Sequence, residues 1–282
     1  MSRTERWIPL VGVLAGLALA VGGCGRQQPE APASANQISV MVPCGQVGPF
    51  SEIAHLFEQA NPGVTVEWVP ENMVTIVKKI IDGKDRPDAF LSMGDLETDQ
   101  LEQAGLVMEG TRVQYAENSL AIMVPAANPA GVQTVVDLAK PSVKTITIPD
   151  PQENSVGKHA VEALQKAGLW GEVEKKTLFA RFAADSKDVT AKGQAEASIG
   201  YYPCAVEVHV KGQAPATPKN LKLVAQVPAD LYPAFWCEAA VLKDAKNPEG
   251  AKKLLAFLKT PEAQGIFRKW HFVRVESVPS ES

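Results

Sequence analysis

From residue 38 onward, short unbroken apolar runs alternate with longer stretches in which apolar positions return at three and four residues. The run 38–42 stops at Pro43, and Phe50, Ile53, Ala54 and Phe57 then recur at helical spacing. Asn61-Pro62-Gly63 ends that helix, and 64–69 reads as a second strand. Met73, Ile76, Val77, Ile80 and Ile81 repeat the helical period, with Asn72 placed as an N-cap and Gly83 as a stop. A short buried strand at 89–92 and a helix at 96–104, closed by Gly105, continue the alternation. Strand and helix in strict turn predict an α/β fold, with a mostly parallel sheet covered on both faces.

The second half keeps the rhythm. Strands are expected at 118–125, 144–148, 197–201, 221–227 and 238–242. Helices are expected at 134–139, 155–167, 185–193, 248–258 and 261–270, while 172–182 begins helically and then loses its period. If 118–125 crosses to a second lobe and 238–242 returns, the lobes are discontinuous: 37–117 with 238–282, and 118–237. A ligand would then sit between them.

The first 36 residues follow a different pattern. Arg3 and Arg6 precede an apolar stretch from Trp7 to Val21, which Gly22-Gly23-Cys24 closes. The stretch is short and ends in a processing pattern, so 1–23 is expected to be a signal peptide. Val21-Gly22-Gly23-Cys24 resembles a bacterial lipobox, which makes Cys24 the lipidated first residue of an exported, membrane-anchored protein facing the periplasm or cell exterior. Residues 25–36 are rich in Pro, Ala, Gln and Ser, and 24–36 reads as a lipidated cysteine on a disordered tether.

The whole chain has 28 basic and 32 acidic residues, a net charge of −4, and loss of Arg3, Arg6 and Glu5 moves this to −5. This is no nucleic-acid footprint. The mature chain keeps Cys44, Cys204 and Cys237, an odd number after lipidation.

Candidate chemistry starts at 40–50, VMVPCGQVGPF, where a strand ends, a Gly/Pro loop follows and a helix begins. At such a junction backbone N–H groups and the helix dipole point into the crevice. Cys44 stands in this loop, either as an inert packed thiol or as one activated by the helix end. No phosphate loop, C-x-x-C, HExxH or G-x-S-x-G occurs, so neither an enzyme nor a cofactor is expected.

Five segments carry a family resemblance: FSEIAHLFEQANPGVTVEW, PDAFLSMGDLETDQLEQAGLV, ENSLAIMVP, the pair IPDPQENSVGKHAVEAL and AKGQAEASIGYYPCA, and PEGAKKLLAFLKTPEAQGIFRKWHF. In this order they resemble the molybdate-type periplasmic solute-binding proteins, receptors of ABC importers. The resemblance implies a two-lobed periplasmic-binding-protein fold (type II), with mostly parallel sheets and two interlobe crossing strands. It also implies a monomer that presents a small inorganic ion to a membrane permease. The oxyanion of such receptors is held by hydroxyl and backbone N–H donors. Carried over by position, the ligand-binding set is Cys44 and Gly45 in the first loop, Asn72 and Met73 in the second, Ser155 and Val156, Val189, and Tyr201. Two usual hydroxyls are missing, at Cys44 and at Asn72-Met73, and Cys204 replaces the aspartate usual after the tyrosine.

The sulfur substitutions open an alternative. Cys44, Cys204 and Cys237, if they converge, suit a soft metal ion or trivalent arsenic better than an oxyanion. A Cys204–Cys237 disulfide is the other outcome. Met73 and Met93 could add thioethers, although Met73 lies on an apolar helix face. His55, His159, His209 and His271 show no metal-ligand spacing. Asp85, Asp88 and the acidic run 95–102 read as solvated faces, and no Lys or Arg stands out as an anion clamp.

Overall fold

The computed structural model describes residues 36–207, 211, 216 and 219–273. The expected signal peptide and all but the last residue of the expected tether fall outside these residues. Among the described residues, no helix is long and apolar enough to cross a membrane.

The apolar run at the start of the folded chain becomes β1 (Gln37–Pro43), and its buried face carries Ile38, Val40 and Val42. It pairs in parallel with β2 (Thr65–Glu71) and β3 (Ala89–Leu91). Between them run α1 (Val47–Ala60) and α2 (Met73–Ile81), and α3 (Asp95–Gln103) follows β3. Helix α1 starts three residues before the apolar period does. Pro49 is tolerated there because first-turn N–H groups have no intrahelical partner, and Gly48 gives room to Trp270. The Asn72 side chain accepts from Val74 N at 3.0 Å and caps α2.

A strand not read from the pattern, β4 (Val113–Asn118), comes next, and β5 (Leu120–Pro125) begins after the single residue Ser119. The stretch expected to cross as one strand is thus divided. Asn118 donates to Met93 O at 3.0 Å and accepts from Ser119 N at 3.1 Å, so its side chain fixes the corner.

The chain then builds a second sheet from β5, β6 (Ile146–Pro149), β7 (Thr177–Ala180), β8 (Ala197–Tyr201) and β9 (Leu221–Gln226). Helices α4 (Ser155–Lys166), α5 (Trp170–Val173), α6 (Ala183–Ala191) and α7 (Tyr202–Val206) belong to this part. Strand β7 occupies the place where the helical period of 172–182 failed. After β9 the chain returns as β10 (Phe235–Val241), followed by α8 (Pro248–Phe257) and α9 (Pro261–Lys269).

The sheet orders are β2-β1-β3-β10-β4 and β7-β6-β8-β5-β9. Both sheets are mixed. Strand β10 is antiparallel to β3 and β4, and β5 is antiparallel to β8 and β9, because these two strands carry the chain between sheets. The return strand lies wholly in the first sheet. Phe50, Ile53 and Phe57 of α1, Phe90 of β3 and Phe267 of α9 are fully or almost fully buried in the first part. Each such side chain contributes about 1.5–3 kcal/mol by leaving water.

Candidate functional site

The carboxyl ends of β1, β2, β3 and β8 face one cavity of about 200 Å³. From the first sheet it is lined by Pro43, Cys44, Gly45, Asn72, Met73 and Met93, and from the second by Asn154, Ala183, Lys187, Tyr201, Pro203 and Cys204. Trp270 and Phe272 close one side. Both sheets lie in a single packed unit.

Cys44 and Gly45 sit in a 3-10 turn, Cys44–Gln46, between β1 and α1. A Cβ at Gly45 would lie 2.8 Å from Cys204 Sγ and 3.5 Å from Met93 Sδ, so both sulfurs press on this backbone. Met93 is held in place from below: Gln46 Nε2 donates to Ser92 O at 3.1 Å, and the Tyr115 hydroxyl donates to Gln46 Oε1 at 2.6 Å.

The Cys44 side chain reaches the surface, yet protein surrounds enough of it that desolvation, with a smaller contribution from Cys204, pushes its thiol up to about 11. Burial also raises Cys204, and Lys187 pulls the other way in both cases. At neutral pH both are protonated thiols and weak donors. Lys187, on α6, donates to Cys204 O at 3.3 Å and is the ammonium of the lining. No pattern marked it, because its neighbours Asp185, Ser186 and Asp188 are of the polar types that usually face solvent.

Four of the expected positions are placed elsewhere. Ser155 and Val156, at the start of α4, are completely buried and do not border the cavity. Ser155 N donates to Glu97 Oε1 at 2.9 Å, and Ser155 Oγ donates to Glu97 Oε2. Val189 lies in the last turn of α6, where its N–H is spent inside the helix. The first turn of α6, at Ala183 and Ala184, borders the cavity instead.

Cys237 is the fourth. It is fully buried on β10, accepting from Asn118 Nδ2 at 3.6 Å, so the three thiols do not converge. All three are free, and among the described residues no group of three His, Cys, Asp or Glu side chains could hold a metal ion.

The acidic run and two polar residues also differ from expectation. Glu97 is fully buried, and burial pushes its carboxyl up against the pull of the Ser155 hydroxyl and N–H. Asp95 pairs with Lys158 at 2.5 Å and with His159 Nε2 at 3.2 Å; burial opposes it, but these partners hold it well below the usual carboxylate range. His159 is buried, not solvated, and stacks on Phe235 at 4.4 Å. Asp88 is also buried and accepts from Ser39 and Asn247. Glu97 and Asp88 lie inside because donors there require an acceptor, among them the backbone N–H groups of Ser155, Ser39 and Asn247.

Two mixed α/β sheets meeting at a cavity between their strand ends define a two-lobed binding protein of the type II periplasmic class. The chain belongs to the bacterial extracellular solute-binding protein family, whose profile matches residues 38–273. It is 27% identical to the molybdate-binding protein ModA of Rhodobacter capsulatus over 243 residues, 86% of this chain and 90% of that one. It is 26% identical to ModA of Azotobacter vinelandii over 245 residues, 85% and 91% of the two chains. In fold it is similar to the periplasmic molybdate-binding protein of Azotobacter vinelandii, with TM-score 0.66, 18% identity and coverage of 85% and 100%. It is equally similar to the sulfate-binding protein SubI of Mycobacterium tuberculosis, with TM-score 0.69, 16% identity and coverage of 84% and 86%.

Proposed function

We propose that this protein is the receptor of an ABC importer, anchored outside the cytoplasm through lipidated Cys24, and that it captures a small inorganic oxyanion of the molybdate or tungstate kind. The observation that carries the reading is the cavity itself. It lies between the sheets at their strand ends, and it gathers Cys44, Gly45, Asn72 and Tyr201 with the ammonium of Lys187. Helix starts at α1, α2 and α6 border the same space, and their dipoles favour an anion. Lobes of 37–117 with 238–282, and of 118–237, would close over the solute and present it to a permease.

A second reading has one observation in its favour. Cys204 Sγ and Met93 Sδ both lie against Gly45, beside Cys44, and soft ligands suit a soft ion. Calorimetric titration of the mature protein with molybdate, tungstate and sulfate, and separately with silver ion and arsenite, distinguishes the two. Binding of a tetrahedral dianion, weakened about fivefold or more by Lys187→Ala, supports the oxyanion reading. Binding of silver ion or arsenite alone, lost in Cys204→Ser, would replace it.

A further inference from the structure

The start of α4 is furnished as an anion cradle, and the anion in it belongs to the protein. The Glu97 carboxylate comes from α3, which follows the first sheet's β3, and meets Ser155 of α4 in the second part. It takes both the backbone N–H and the hydroxyl of Ser155, and Leu96 N donates to the same hydroxyl at 3.0 Å. The two helix starts are in direct contact: a Cβ at Gly94 would lie 2.2 Å from Ser155 Cβ. The Val156 N–H faces the Tyr201 oxygen, and Tyr201 in turn lines the cavity. The carboxylate therefore stands one side chain away from the solute space, on donors of the kind an oxyanion uses.

We propose that Glu97 is a specificity residue of the cleft, a resident anion that holds the α4 donors and sets how strongly a solute dianion can bind. The proposal rests on the oxyanion reading of the cavity. A dianion beside Tyr201 meets the Glu97 charge across the buried Tyr201 side chain, where like charges repel more strongly than in water. It gains the Ser155 donors only if Glu97 moves away or is protonated. The groups facing Glu97 are Asp95 on its own helix, with Lys158 and His159 of α4 paired to it, Tyr201 of β8 and Cys237 of β10. Asp95 is charge-balanced by its partners, and Tyr201 and Cys237 stay neutral through burial. Of the carboxyls in this set, Asp95 is held low by its partners and Glu97 is the one that burial pushes up. Its burial favours the protonated form, so falling pH strengthens dianion binding, with uptake of a proton.

The test is calorimetric titration with sulfate, which keeps its charge from pH 5 to 8, and with molybdate at pH 7 and 8. Wild type is compared with Glu97→Gln, which keeps the shape and can still accept from Ser155. The expected result is at least tenfold tighter binding by Glu97→Gln at pH 8, and wild-type sulfate affinity that rises as pH falls while the variant's stays flat. The wild-type pH series holds even if the variant folds poorly. Equal affinities and parallel pH profiles would overturn the role of Glu97 and leave the receptor reading intact. Absence of oxyanion binding in both proteins at every pH would instead remove the oxyanion reading, and this inference with it.

Discussion

At the scale of single residues, the described lining of the cavity combines weak thiol donors with the Lys187 ammonium and the Glu207 carboxylate, and the thiols decide its reactivity. Cys44 has surface access, yet its thiol is raised to about 11 from an ordinary 9.0, which lowers the thiolate fraction at pH 8 about a hundredfold. Alkylation of Cys44 by iodoacetamide should therefore be slow at pH 8 and still climb about tenfold per pH unit up to pH 10. Denatured, unreduced mature protein should show three titratable thiols, from Cys44, Cys204 and Cys237, none of which is paired. A count of one would mean that two of them had been oxidised to a disulfide. That Cys44 and Cys204 could share a space was legible from their places after two strand ends. The position of Cys237 was not, because a shift of one place along a β-strand turns a side chain to the opposite face.

At the scale of elements, caps and close approaches fix where each helix start points. Asn72 was recognisable as a cap from its place before an apolar helical stripe, and its side chain does cap α2. Asn72→Ala should cost about 0.5–2 kcal/mol of stability in chemical denaturation, and it also removes a polar group from the cavity wall. Gly157 shows the other kind of constraint. A Cβ there would lie 2.0 Å from Pro149 O, a backbone atom that cannot swing away. Gly157→Ala should destabilise by about 1–3 kcal/mol or more, read from the same denaturation curves. It should also weaken anion binding, since pushing α4 off β6 shifts the Ser155–Glu97 contact. The helix period of α4 was plain in the sequence, whereas the need for glycine at its third position was not, because the partner atom lies eight residues away across a tight turn.

At the scale of the whole molecule, closure is the property that a receptor of this kind must have. Contacts between the two parts already include Glu97 with Ser155, Asp95 with Lys158 and His159, and Gln100 with Gln152 O at 3.3 Å. Asp95 is held low, so its share of this stabilisation is present above the unfolded carboxylate range and fades as pH falls through and below it. Asp95→Asn should accordingly lower the midpoint of thermal unfolding at pH 7 and lower it clearly less near pH 2. A midpoint shift of equal size at both pH values would assign the loss to packing and not to charge.

The order of elements apart from β4 and β7, the family resemblance and the strand-end position of Cys44, Asn72 and Tyr201 were determined by the sequence alone. Periodicity and breaker residues act locally, over a few turns or one strand. What only the tertiary structure decided was partnership. Glu97, Asp88 and His159 stand among solvent-type neighbours and read as surface, yet each is buried against donors or acceptors far along the chain. Glu97 meets Ser155 at a separation of 58 residues. Lys187 likewise becomes a cavity residue only because α6 turns its first half toward β8 and α7. A buried charge is stabilised by its partner rather than by its neighbours in sequence, so local pattern carries no trace of it.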